Sequence, residues 1–225
     1  MMMSSKIKAA IVLFLTVLFV TCADNLTDPD LDPAEPRQLS IAEKQLVEAD
    51  QVFSYDIFKR TVASEEGENV FISPLSISFA LGMALNGAQN ETFDAMRDAL
   101  SFNDMNLDNI NEGYRSLIEL LSALDPEVQF KIANSIWSRE GFQVKEDFIE
   151  RLETYFDASF RELDFNDPES IDIINKWINE NTNELIEKIL EEPIPEETVM
   201  FLINALFFKG DWMNQFDPED TVKAD

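Results

Sequence analysis

Residues Thr198–Gly210, TVMFLINALFFKG, constrain the fold more than any other stretch of this chain. Val199–Ile203 and Ala205–Phe208 are apolar, and Asn204 alone interrupts them. Successive side chains of a strand face opposite ways, so an apolar run without alternation describes a strand covered on both faces. The amide in its middle must find partners, because an unpaired buried polar group costs about 1–3 kcal/mol. Each large side chain buried here is worth roughly 1.5–3 kcal/mol, an upper estimate. That gain needs a layer above, a layer below and a strand on either side. The stretch is therefore a central sheet strand carrying one internal hydrogen-bonding residue.

The preceding chain supplies the layers. Ser40 and Glu43 form a capping box, and Leu46, Ala49, Phe53 and Ile57 recur at helical spacing. Val70–Ile72 predicts a short strand. Ser73 then caps a helix, with Pro74 at its first position, where the missing N–H costs nothing. The uncharged run Leu75–Leu85 predicts a helix buried all round, whose small residues Ser76, Ser78, Ala80, Gly82 and Ala84 admit close neighbours. Asn86-Gly87 is a left-handed stop. A helix follows from Asn90 through Phe93, Met96 and Leu100. After a polar connection over Ser101–Asn109, the stripe Ile110, Tyr114, Leu117, Leu121 and Leu124 marks another, broken at Asp125-Pro126. Val128–Arg139 alternates, with Val128, Phe130, Ile132, Asn134 and Ile136 on one buried face. Val144–Phe156 is a helix and Ala158–Phe165 a weaker strand. Asp167-Pro168 opens a long helix with Ile171, Ile174, Ile178, Leu185 and Ile189 inward. This is an α+β domain, helices packed on a large central mixed sheet, with no internal repeat.

Composition excludes several chemistries. The 225 residues contain no histidine and one cysteine, which removes Ser–His–Asp and Cys–His catalysis, histidine metal sites and any intrachain disulfide. The net charge of −27 argues against nucleic acid and anionic lipid as partners and favours a solvated acidic surface. No carboxylate pair stands out among the 44 acids as a hydrolase site. Asp28, Asp30 and Asp32, and again Asp104, Asn106 and Asp108, imitate a calcium loop, but both lack the glycine and the terminal Glu. No metal and no cofactor are expected. Asn25-Leu26-Thr27 and Asn90-Glu91-Thr92 are glycosylation sequons that matter only in a eukaryote.

Residues 1–21 carry Lys6 and Lys8 before an apolar run from Ala9 to Val20, too short to span a bilayer and fitting a signal peptide. The run ends at Cys22. This resembles a bacterial lipoprotein leader, with Phe19 and Thr21 as departures, and implies lipidation of Cys22. Residues 22–40, rich in proline and acid, are an extended tether. The protein is then extracytoplasmic, touching the membrane only through its lipid.

Three blocks of the domain at 41–225 resemble the serpin family. NVFISPLSISFALGMALNGAQNETFDAMRDAL resembles its short strand, buried helix and next helix. INKWINENTNELIEKIL resembles the helix that crosses the front of its main sheet. FLINALFFKGDWMNQF resembles its central strand and the following Asn-x-x-x-Phe-Lys-Gly-x-Trp-x-x-x-Phe pattern, which includes Trp212 and Phe216. Where the family often has Thr-x-Gly-Lys-Ile, this chain has Thr182-Asn183-Glu184-Leu185-Ile186.

The resemblance implies an inhibitor of serine or cysteine proteases, not an enzyme. A protease attacks an exposed loop, an acyl-enzyme forms, and the cut loop inserts as a new strand beside Thr198–Gly210. It also implies that Ser73, Ser76 and Asn204 lie at the hinge where the sheet opens. Taken alone, these three residues read rather as groups that satisfy local backbone. Trp212 and Phe216 are expected to be core aromatics. The resemblance stops after the central strand, before any reactive loop, so the chain is expected to be a fragment of a monomeric protein, inactive and poorly soluble alone. The alternative is a serpin-fold surface lipoprotein that binds without inhibiting.

Overall fold

A computed structural model describes residues 37–65, 67–103, 105–123, 128–191 and 193–210. Within them the elements are α1 (Ile41–Ser64), α2 (Pro74–Leu85), α3 (Asn90–Ala99), α4 (Leu107–Ser122), β1 (Gln129–Arg139), α5 (Glu146–Phe156), β2 (Ala158–Leu163), α6 (Glu169–Asn181) and β3 (Met200–Lys209). Cys22, Trp212 and Phe216, the leader and the tether up to Pro36 lie outside the described residues, as does the Asp125-Pro126 break.

The helices start where the local chemistry directs. Ser40 Oγ accepts from the Glu43 N–H at 3.2 Å, and a Glu43 carboxylate oxygen accepts from the Ser40 N–H at 2.6 Å, completing the capping box. The Ser73 side chain accepts from the Ser76 N–H at 3.3 Å, with Pro74 at the first helical position. Asn106, within the stretch expected as a connection, caps α4 through a 2.8 Å bond from the Asn109 N–H.

The three strands lie in the order β2-β1-β3, with β1 parallel to β2 and antiparallel to β3. Side-chain alternation sorts β3 between two cores. Met200 and Leu202 pack on a cluster built from α1, α2, α4 and α5 around Phe79, Tyr114, Ile136 and Phe156. Phe201 and Ile203 pack on a second cluster with Trp137, Ile171, Ile174 and Ile178, in which α6 supplies the cover. Both faces of β3 are therefore engaged, as the unbroken apolar run requires.

Within the described sheet β1 pairs with one side of β3, and no described strand pairs with the other. Four local expectations change. Val70–Ile72 forms no ladder, and Phe71 is fully exposed, because no described strand lies beside it. β1 is buried on both faces from Asn134 to Ser138, since α6 covers the side that alternation had assigned to solvent.

Helix α6 ends at Asn181, so Leu185 and Ile189 fall outside it and are exposed. Asn183 and Glu184 take positive φ values of 52° and 63°, and the Glu184 N–H turns back to the Asn179 carbonyl at 2.9 Å. That left-handed turn closes the helix. Glu184 occupies the position of the family's Gly.

The end of α2 is not left-handed: Asn86 has φ −64°. Asn86 instead pairs with Asn111 on α4 through two reciprocal amide bonds, each 2.9 Å. Gly87 supplies room, because a Cβ there would lie 3.1 Å from the Phe148 ring. Gly82 does the same at the centre of the layer. Its missing side chain admits the Tyr114 ring, 2.5 Å from where a Cβ would stand.

Candidate functional site

Asn204 on β3 and Asn134 on β1 are direct partners in the antiparallel register. Both point into the face occupied by α2 and α5. A carboxamide both accepts and donates, so a row of such groups can pass hydrogen bonds across elements. Here the row is complete. Ser76 Oγ, in the first turn of α2, donates to Asn204 Oδ1. Asn204 Nδ2 donates to Asn134 Oδ1 at 2.8 Å. Asn134 Nδ2 donates to the Phe156 carbonyl at 2.7 Å.

Phe156 ends α5, and its carbonyl is one of the last four that the helix cannot satisfy itself. Asp157 follows in the left-handed region, φ 50°, and turns the chain straight into β2. The relay therefore joins α2, β3, β1 and the end of α5. Asn134 is buried, and Ser76 and Asn204 are half-buried. Ser73, exposed, joins only through the Ser76 N–H.

No ionisable group takes part in the relay. Its hydroxyl donates to an amide oxygen rather than to a base, so Ser76 is not prepared as a nucleophile. What the arrangement offers is hydrogen bonds that can change partner if β3 moves away from β1 or α2. The outer edge of β3, which carries unanswered backbone N–H and C=O groups among the described residues, lies on the same strand.

The structure brings Ser76 into contact with Asn204 and ties Ser73 to them only through the Ser76 N–H. Sequence reasoning missed Asn134 and the Phe156 carbonyl. The available signal was a polar residue at an inward slot of β1, which demands a partner just as Asn204 does.

Among the described residues no helix is long and apolar enough to cross a membrane, and no three His, Cys, Asp or Glu residues stand together as a metal site.

The family model described as serpin (serine protease inhibitor) matches residues 48–225. The chain therefore belongs to the serpin family. Human neuroserpin is 34% identical over 170 residues, which are 75% of this chain and 42% of that protein. An uncharacterised serpin-like protein of Methanosarcina acetivorans is 28% identical over 230 residues, 97% of this chain and 54% of that protein. The solved structure of tengpin, a thermophilic serpin in the latent state, superposes with a TM-score of 0.72 at 33% identity, over 81% of this chain and 48% of tengpin. The chain thus spans about half the length of the relatives it matches. The fold class, helices on a mixed sheet of serpin type, stands on these likenesses together with the observed topology.

Proposed function

We propose that this chain supplies the sheet-opening half of a serpin-type inhibitor of serine or cysteine proteases. The attacking protease esterifies its nucleophile with the carbonyl of a loop peptide bond, releasing the amine side. The cut loop then enters the sheet as a strand beside β3. Ser73, Ser76 and Asn204 act as the hinge. The observation that carries this reading is the relay of Ser76, Asn204 and Asn134, set on a strand whose outer edge has no described partner. Insertion needs an edge that can accept a strand and side-chain bonds that can be remade as the sheet widens.

The reactive loop and its bait residue are outside the blocks that carry the resemblance, and inhibition is assigned to the length that the relatives have. Cys22 is assigned as a lipid-bearing first residue, which holds a monomeric protein at the outer surface of a bacterial membrane.

The test is to express the protein from its whole reading frame and mix it with trypsin, subtilisin or papain. A covalent complex that survives SDS supports inhibition. Clean cleavage with no complex overturns it and leaves a serpin-fold binding lipoprotein. Radiolabelled palmitate should enter the protein in a bacterial host and be lost in Cys22→Ser.

A further inference from the structure

Away from the relay, one arginine gathers the ends of three separate segments. Arg139 is the last residue of β1 and stands two positions after Trp137, so its side chain takes the face that α6 covers. There the guanidinium lies over the Phe165 ring, 5.1 Å from its centroid. Its Nε donates to the Thr198 carbonyl at 2.8 Å, and its Nη2 to the Pro195 carbonyl at 3.0 Å. Its Nη1 donates to Asn166 Oδ1, in the turn between β2 and α6, at 3.1 Å. The Arg139 N–H adds a bond to the Val199 carbonyl at 2.9 Å.

Pro195 and Thr198 bound the turn that leads into β3, closed by the Thr198 N–H on the Pro195 carbonyl at 3.0 Å. The described part of the link between α6 and β3 holds no helix or strand. Of residues 193–198 only Ile194 is buried. Apolar packing therefore does little to hold this turn, and the Arg139 bonds supply the rest. The task suits arginine: a planar fork of donors reaches several carbonyls in fixed directions, whereas lysine is a single point of charge.

We infer that Arg139 is a positioning residue for strand insertion: it clamps the turn Pro195–Thr198 to β1, so that β3 keeps its pairing with β1 as far as Met200 and offers the incoming loop an unbroken outer edge. This role rests on the inhibitor function proposed for the chain. The acyl-enzyme has two fates. Water cleaves its ester, leaving a carboxylate on the loop and the protease nucleophile free, or the loop zips onto β3 first. A template frayed at the Met200 end slows zipping and leaves hydrolysis unchanged, which shifts the partition toward cleavage.

The experiment compares the protein expressed from its whole reading frame with its Arg139→Lys and Arg139→Met variants. Hydrogen exchange read by mass spectrometry should quicken about tenfold in peptides covering residues 193–202 of both variants, the factor for losing one charge-assisted hydrogen bond, and stay unchanged in α2 and α4. With whichever of trypsin, subtilisin or papain the wild type traps, the inhibitor consumed per protease trapped should rise severalfold, while the rate of loop attack keeps its wild-type value. Unchanged exchange over residues 193–202 overturns the clamp. Faster exchange everywhere, α2 and α4 included, reduces Arg139 to general stability and also overturns it. Quickened local exchange with an unchanged partition overturns the role in insertion. Should Arg139→Met not fold, Arg139→Lys, which keeps the charge and the aliphatic stem, decides alone. A wild type that traps none of the three proteases overturns the inhibitor function and the insertion role with it, and exchange still decides the clamp.

Discussion

Asn204 on β3 stands directly opposite Asn134 on β1, and its amide donates to the Asn134 carbonyl oxygen over 2.8 Å. Register and chemistry coincide at this pair. A slip of β3 by one residue would turn Asn204 toward the α6 face and bring an apolar side chain into the relay. The pair thus marks the register as well as linking the two strands to α2.

Removing one member should cost more than the bond itself. Asn204→Ala leaves the Asn134 acceptor and the Ser76 hydroxyl without their partner and should destabilise the fold by about 1–3 kcal/mol. A double-mutant cycle of Asn134→Ala and Asn204→Ala, read by urea unfolding, should give a coupling of about 0.5–3 kcal/mol. Strictly additive losses would show that the amides do not act as a pair.

Stability should fall as pH rises through the range set by Asp50. The folded carboxyl is pushed up to about 6 by burial, against an ordinary value of 3.8, so between these values the folded state binds the extra proton. The resulting stabilisation is fully present below the unfolded value and is lost as pH rises through the folded one. The loss amounts to roughly 3 kcal/mol between pH 3.5 and 7.5. Asp50→Asn should flatten this slope in urea midpoints measured across pH.

Glu43 should work in the opposite direction. Hydrogen bonds from Arg37, then from Ser116 and Ser40, hold its carboxyl well below the usual carboxylate range. A depressed carboxyl stabilises the fold above its unfolded value, and that contribution disappears as pH falls through the folded one. Glu43→Gln should therefore remove stability at pH 7 and lose this effect progressively in acid. Ser40→Ala, which deletes the cap, should cost about 1 kcal/mol by thermal unfolding.

The turn after α6 carries strain that a single substitution should relieve. Glu184 sits at φ 63°, which costs a side chain-bearing residue about 1–2 kcal/mol, part of which glycine would return as unfolded-state entropy. Glu184→Gly should stabilise the chain by about 0.5–1 kcal/mol in urea unfolding. Its effect should be on stability alone, because the exposed side chain makes no part of the relay.

Gly82 has no such freedom to change. A Cβ there would stand 2.5 Å from the Tyr114 ring, which also packs on Phe79, Phe102 and Phe156. Gly82→Ala should push that ring out of a filled core and cost about 1–3 kcal/mol. Near-ultraviolet circular dichroism should change with it.

Element type was legible because it is written at short range. The capping box at Ser40–Glu43, the cap and proline at Ser73-Pro74, and the apolar stripe of α4 each act within a few residues, and each appears where local chemistry puts it. The uninterrupted run of β3 likewise announced two covered faces, and two cores cover them. Three motif blocks with the right order pointed to the family. Ser73, Ser76 and Asn204 were singled out through that resemblance, since two serines and an amide carry no distinctive pattern of their own.

Only the tertiary structure decided which polar groups meet. The Asn204–Asn134 contact joins residues 70 positions apart, and Ser76 reaches Asn204 across 128. Asp50 finds Ser78 across 28 positions. No local period encodes such separations; they follow from strand register and helix packing once the apolar faces are buried. The same reason explains the strand ends. Whether Val70–Ile72 joins a sheet, or β1 hides one face or two, depends on what lies alongside, and the backbone groups of a strand are satisfied only by a neighbour the strand does not itself contain.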